Sequence, residues 1–290
     1  MGKKFLVIGS SGYIGRKLFE KSKNFGVVYG TSSKENSSSE CLKLDLSQPL
    51  NFDYTQYDEN SIVFFTAANS SPDQCMNQYD EVYNINVTGT SLAISAFLKR
   101  KAKVIFFSSD TVFGESEEPF DEMFPKTPAG KYAEMKLEVE EKFKSFPDFK
   151  AVHLSYVFSK QDKFSTYLLN CHRNNCSAEI FHPFNRSVIY LGDLCDAVIN
   201  LGLNWDHFQE GSVNLGGPQL VSRLDFARLF NKIFLEDLKY TVTEPDAAFF
   251  ENRPRVINMK SPLLKKILGR DPLNLEQSIR TEFNSEIQND

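Results

Sequence analysis

No stretch of this 290-residue chain approaches the roughly 18 consecutive apolar residues of a membrane-spanning helix. Nothing reads as a leader either: the apolar run Phe5-Leu6-Val7-Ile8 is too short for a signal peptide, and Gly9 follows at once. Position six is Leu6, not Ser or Thr, so Gly2 opens no myristoylation signal. An excess of basic charge is also missing. A net charge of −5 gives no broad attraction for nucleic acid or anionic membrane, so neither is an expected partner. Any anionic ligand must be captured by a local arrangement of donors. A disulfide framework is absent too: Cys41, Cys75, Cys171, Cys176 and Cys195 are odd in number and scattered, which fits a reducing cytoplasm. Cys171, His172 and Cys176 fall short of four ligands at zinc spacing, so no metal site is expected.

What is present describes a soluble globular chain. Apolar content of 41%, charged content of 24% and 26 Phe belong to a packed protein, not a disordered one. The length suits one large α/β domain, or one with a lobe attached. In the first half, short apolar runs alternate with longer amphipathic segments, the pattern of βαβ units. Strands are predicted near residues 5–9, 26–29, 41–44, 62–66, 104–108 and 151–156, and helices over 12–23, 77–99 and 128–146. Thr127 is the predicted cap of the last helix, with Pro128 in its first turn. Residues 187–191 resemble a return strand, followed by a helix over 194–203. The expected architecture is α/β: a Rossmann-like, doubly wound parallel sheet over 1–157, to which 187–203 return, and a smaller C-terminal substrate lobe over 158–290.

The turn GSSGYIG follows the first strand and opens a helix. Gly9, Gly12 and Gly15, with Ser11, Tyr13 and Ile14 between them, can present backbone N–H groups and a helix N-terminus to a pyrophosphate. The spacing is GxxGxxG, for which a tight turn that merely needs glycine is the competing reading; the position straight after the first strand supports the pyrophosphate. At the end of the second strand stand Ser32, Ser33 and Lys34 rather than the carboxylate that accepts a ribose 2′-hydroxyl. Hydroxyls and a cation suit a 2′-phosphate, so NADP(H) is expected, with NAD(H) possible and Glu35 the reservation. Asp45 and Leu46, after the third strand, are candidates for an adenine contact, although a plain turn aspartate fits equally well. Ala67 and Ala68, past the fourth strand, complete the expected cofactor site.

The fifth strand ends in Ser108-Ser109-Asp110-Thr111, where Ser109 can donate to a carbonyl oxygen. Tyr132 and Lys136 lie four apart in the helix that follows and so share a face. An adjacent cation favours a phenolate. Bringing the phenol from about 10 to near neutrality needs about 4 kcal/mol of differential interaction, which a close lysine and a cationic nicotinamide ring are expected to supply. Cation and phenol in this arrangement suit hydride transfer.

The glycine turn, SSDTVFG, YAEMK and NRSVIYLGDLCDAV resemble the extended short-chain dehydrogenase/reductases, and most closely the dTDP-4-dehydrorhamnose reductase group. The likeness extends over most of the chain, including VNLGG at Val213 to Gly217 and Arg253-Pro254. The resemblance implies a catalytic set of Ser109, Tyr132 and Lys136. It further implies that Tyr132 gives its proton to a 4-keto oxygen, Lys136 also holds the nicotinamide ribose, and Ser109 orients the ketone. The implied activity is NADP(H)-dependent reduction of a 4-keto-6-deoxy sugar nucleotide. Sugar-nucleotide dehydratases carry an Asp-Glu pair at this strand end, whereas here Asp110 precedes Thr111, so the elimination base is missing. Asp110, Thr111, Arg186 and Arg253 are candidate substrate contacts, the arginines because a guanidinium offers a fork of donors to a diphosphate. The chain departs from the family pattern at His153 and Tyr156, where Arg and Trp are common. An epimerase that keeps NAD bound, and a cofactor-binding regulatory subunit, are the competing readings. A homodimer is the oligomer that the resemblance suggests.

Overall fold

A computed structural model describes residues 2–34, 39–251 and 253–287. Its first strand, β1 (Lys3–Ile8), runs alternately inward to two different cores. Phe5 and Val7 join one core and Leu6 and Ile8 the other, as a strand buried on both faces must. The helix α1 (Tyr13–Ser22) follows, then β2 (Gly26–Ser32), β3 (Cys41–Lys43), β4 (Ser61–Phe65) and β5 (Lys103–Ser109). Two later strands, Phe149–Leu154 and Ser212–Leu215, complete a seven-stranded sheet in which every pairing is parallel. Across it the order is Ser212–Leu215, Phe149–Leu154, β5, β4, β1, β2, β3. Direction of winding reverses between β1 and β4, and ligands of such sheets bind beyond the strand ends at that switch point.

Apolar side chains explain why both faces are covered. All five residues of β4 are buried. One face packs against α1 and the helix Leu191–Leu203 through Leu18, Leu194 and Val198. The other meets the helices Thr90–Leu98 and Lys131–Phe143 through Phe97, Met135 and Val139. A third core, rich in aromatics such as Phe158, Phe226 and Phe230, fills the lobe.

The expected fold class is the observed one, but several element assignments change. The strand resemblance at 187–191 does not return to the main sheet. Asn185–Ser187 pairs with Leu220–Ser222 and Val256–Met259 in the lobe, and Ile189–Tyr190 pairs with Val157–Phe158. The seventh main strand is instead Ser212–Leu215, in the stretch assigned to the lobe. In the opposite direction, Ser116–Phe120 from the first half pairs with Val256–Met259 of the lobe. The predicted helix over 77–99 breaks at Gln78 and continues through a π-helical turn at Asn84–Gly89. Helix 128–146 begins later, at Lys131, behind Gly130 with φ 85°. Thr127 does not cap it, because its hydroxyl donates to Phe113 O at 2.8 Å.

Candidate active site

A cleft of about 520 Å³ opens where β1, β2 and β4 end. Gly9, with φ 86°, turns the chain out of β1. Gly15 is obligatory there: a Cβ on it would stand 2.2 Å from Gly9 O. Gly12 precedes α1 without a side-chain cap, and the first turn of α1 carries no acidic residue. Its leading N–H groups therefore face the cleft with no internal acceptor, which suits an anion. Ser11, Tyr13 and Ile14 line the same wall. This cradle of close-packed glycine and unsatisfied donors fits a dinucleotide pyrophosphate.

The far end of the cleft is walled by Ser32, Ser33, Asp45 and Leu46, and its floor by Ala67 and Ala68. Lys34 is exposed one residue beyond this wall and is not part of the lining. Glu35 lies outside the described residues. Asp45 Oδ1 accepts from the Ser47 amide and hydroxyl, both at 2.8 Å, so it anchors its turn while facing the cleft. Sequence reasoning passed over Thr31 and Thr66, which also line it. Thr31 Oγ1 accepts from Gly9 N at 3.3 Å and Thr66 Oγ1 donates to Ile8 O at 2.7 Å. A threonine at the carboxyl end of each neighbouring strand was the available signal. Gly89 brings the π-helical turn against this wall, since a Cβ would meet Leu46 O at 1.7 Å.

Ile14 and Ser70 belong both to this cleft and to the second space it joins. There Ser109 and Tyr132 share the walls with Thr111, Arg186 and Arg253. Ser109 caps the short 3₁₀ turn Asp110–Phe113, accepting from Thr111 N at 3.2 Å. Its oxygen also lies 2.8 Å from Thr111 Oγ1. Tyr132 is half-buried, and among the described residues its hydroxyl donates to no protein group. Lys136 is buried and donates to Phe107 O at 2.7 Å. Its Nζ stands 5.7 Å from the Tyr132 ring centroid and 4.4 Å from that of Phe106.

Electrostatically, the expected acidic phenol is corrected. Burial pushes the Tyr132 hydroxyl well above its ordinary range, with the Cys75 thiol and Asp110 adding to it. Lys136 offers no counterweight, because its own burial drives it down to about 7 against the pull of Glu140. Two groups desolvated together both favour their neutral forms.

Beneath Lys136 lies a polar network that sequence reasoning did not find. Glu140, one turn further along the helix, is buried and accepts from Ser108, from Lys126 and, at 3.0 Å, pairs with His153 Nε2. His153 Nδ1 in turn meets Asn214 Oδ1 at 3.0 Å. Burial alone would raise the Glu140 carboxyl, but His153 and Lys126 outweigh it and hold the group down at about 2.

Two of the predicted substrate contacts line this space and are also bonded within the protein. Arg186 lies in the strand Asn185–Ser187, not in a loop, and is buried. It donates to Asn185 O, Arg255 O and Pro254 O, and its Nε lies 3.8 Å from Asp110. Asp110, also buried, accepts from Ser155 at 2.9 Å. Thr111 and Arg253 line it as well, and Arg253 pairs with Asp73 at 3.3 Å.

Fold and site define the class: an NAD(P)-dependent oxidoreductase of the extended short-chain dehydrogenase/reductase type. Within it, the chain belongs to the family described as the RmlD substrate binding domain, whose model matches residues 3–285. A dTDP-4-dehydrorhamnose reductase from Clostridium acetobutylicum is similar at 22% identity and a TM-score of 0.80, over 98% of this chain and 99% of that one. A UDP-glucuronic acid 4-epimerase from Bacillus cereus, solved with UDP-glucuronic acid and NAD, is 18% identical with a TM-score of 0.77 over 99% of both chains. A UDP-glucose-4-epimerase from Stenotrophomonas maltophila with bound NAD reaches a TM-score of 0.82 at 16% identity, over 97% of both chains. At these identities the structures share the fold. No curated protein matches the chain. Among the described residues no helix is long and apolar enough to cross a membrane.

Proposed function

We propose that the protein is an NADP(H)-dependent reductase of a 4-keto-6-deoxy sugar nucleotide. The observation that carries this is the junction of two clefts. Ile14 and Ser70 line both the glycine-turn cleft and the space that Ser109 and Tyr132 face. The resemblance to sugar-nucleotide reductases and the family membership support the substrate class. Serine hydroxyls at the end of β2 and the exposed Lys34 beyond them favour a 2′-phosphate over a 2′-hydroxyl.

Gly9, Gly12 and Gly15 hold the pyrophosphate, with Ser11, Tyr13 and Ile14; Asp45, Leu46, Ala67 and Ala68 border the nucleoside. Bound, the reduced dinucleotide supplies a hydride. Tyr132 keeps its proton at neutral pH, because burial raises the phenol, and a held proton is what reduction requires. That proton passes to the ketone oxygen as carbon four becomes a secondary alcohol. Ser109 accepts the Thr111 amide through its oxygen and donates to Asp110 Oδ1 over a long 3.3 Å; exchanging that weak bond for the ketone oxygen lets its O–H orient the ketone. Lys136, buried behind Tyr132 and donating to the Phe107 carbonyl, is assigned the nicotinamide ribose by the resemblance.

In the decisive experiment NADPH and NADH oxidation are each followed with a dTDP-4-keto-6-deoxy sugar. Turnover is expected with NADPH preferred. Tyr132→Phe should lose about 100-fold or more in kcat while NADPH affinity stays within about threefold. Retained turnover in that variant would remove Tyr132 from the chemistry. Protein that purifies with NAD and interconverts sugars without net oxidation would be an epimerase. NADP(H) binding without turnover on any keto sugar would mark a regulatory subunit.

A further inference from the structure

Arg223 opens the helix Arg223–Phe230 and lines the space shared by Ser109 and Tyr132. Its guanidinium carbon lies 4.5 Å from the Phe184 ring centroid and 5.1 Å from that of Phe164. Two rings steady the flat group and leave its N–H edge available. Among the described residues nothing accepts a hydrogen bond from it.

The neighbouring carboxylates are already taken. Asp162 caps the helix Lys163–Arg173, accepting the Phe164 and Ser165 amides and the Ser165 hydroxyl, and Tyr156 donates to it as well. Asp110 faces Ser155 and Arg186. Burial works against the charge on Arg223, and Tyr156 and Asp162 offset this only in part. Arginine nonetheless remains a cation. A cation partly withdrawn from water with no protein acceptor gains from an anion that completes it. Arg186 has less to offer a ligand, since carbonyls already take three of its five N–H donors and Asp110 lies 3.8 Å from its Nε.

We propose that Arg223 is the anion receptor of the substrate cleft. Its donor edge meets the paired oxygens of an anionic group on the substrate, either a phosphoryl of the diphosphate or a carboxylate on the sugar. The inference rests on the sugar-nucleotide reading above and adds the residue by which that class is selected.

The parent protein, Arg223→Met and Arg223→Lys are titrated calorimetrically with NADPH, then with UDP, dTDP, UDP-glucose and UDP-glucuronic acid. NADPH affinity should be equal in all three proteins. If the anion is the diphosphate, Arg223→Met loses about 10- to 100-fold in affinity for every nucleotide. If it is a sugar carboxylate, the loss is confined to UDP-glucuronic acid. In either case Arg223→Lys should fall between, keeping charge but losing the fork. The thermal midpoint of ligand-free Arg223→Met should equal or exceed that of the parent protein. Unchanged nucleotide affinities in Arg223→Met overturn the inference while leaving the reductase reading intact. So does a midpoint lower by more than about 5 °C, which would make Arg223 a packing residue. A parent protein that binds NADPH but none of the four nucleotides removes the sugar-nucleotide reading and this inference together.

Discussion

Lys136 shows how a buried side chain can oppose its own fold. Its ammonium is enclosed between the Phe106 and Tyr132 rings and a single carbonyl, and burial lowers it to about 7. An unfolded lysine titrates near 10.4. Below about pH 7 both states carry the proton, and the folded state bears the whole penalty of burying it. Between about 7 and 10.4 the unfolded chain binds more protons, so stability rises with pH as the penalty fades. Lys136→Met should therefore raise the thermal midpoint, by about 2–6 °C near pH 6.5, and by less at pH 9. A midpoint that fell, or a gain that grew with pH, would show that the ammonium is not held against its solvation. Turnover should be lost in the same variant, the usual exchange of stability for activity at a strained site.

At the scale of the element, the helix Lys131–Phe143, which carries Tyr132 and Lys136, is fixed by Glu140. That carboxylate joins the helix to β5 through Ser108, to the preceding loop through Lys126, and to the strand Phe149–Leu154 through His153. Removing one partner of a buried charged set is costly, about 3–5 kcal/mol, because the other members stay buried and lose their acceptor. Glu140→Gln should accordingly lower the midpoint by about 5 °C or more at pH 7. The gap to the parent should close as pH falls from about 4.3 through about 2, where the parent's carboxylate is itself protonated. A gap that persisted unchanged at pH 2 would mean that shape rather than charge made the difference.

The helix also marks where sequence reasoning reached its limit. Local signals placed it within a few residues, put Tyr132 and Lys136 on one face, and located the glycine turn, because each depends on spacing along the chain. The start of the helix was missed because Gly130 adopts φ 85° while Thr127 is drawn away to a carbonyl 14 residues earlier. The state of the phenol was missed for a similar reason. Proximity to a lysine can be read from a sequence, but the burial that raises Tyr132 and lowers Lys136 is assembled from distant segments. The bonds that hold Arg186 could not be foreseen, because two of its acceptors, Pro254 O and Arg255 O, lie 68 and 69 residues away.

For the whole molecule, the decisive fact is that each half lends a strand to the other. Ser116–Phe120 serves the lobe sheet and Ser212–Leu215 serves the main sheet. Alternation of β and α patterns made the main sheet legible, but a strand's partner depends on tertiary contacts that no local pattern carries. A division at residue 157 follows the chain and not the hydrogen bonding. Thermal unfolding should give one transition, with circular dichroism and tryptophan fluorescence of Trp205 coinciding. A fragment ending at residue 157 should fail to give a cooperative transition of its own. Two separated transitions, or a stable fragment, would contradict the lacing. For anyone wishing to retarget this enzyme, the lobe is no detachable cassette: transplanted onto another scaffold it would arrive missing a rung and leave a gap in the ladder behind it. New specificity has to be written side chain by side chain, from inside the cleft.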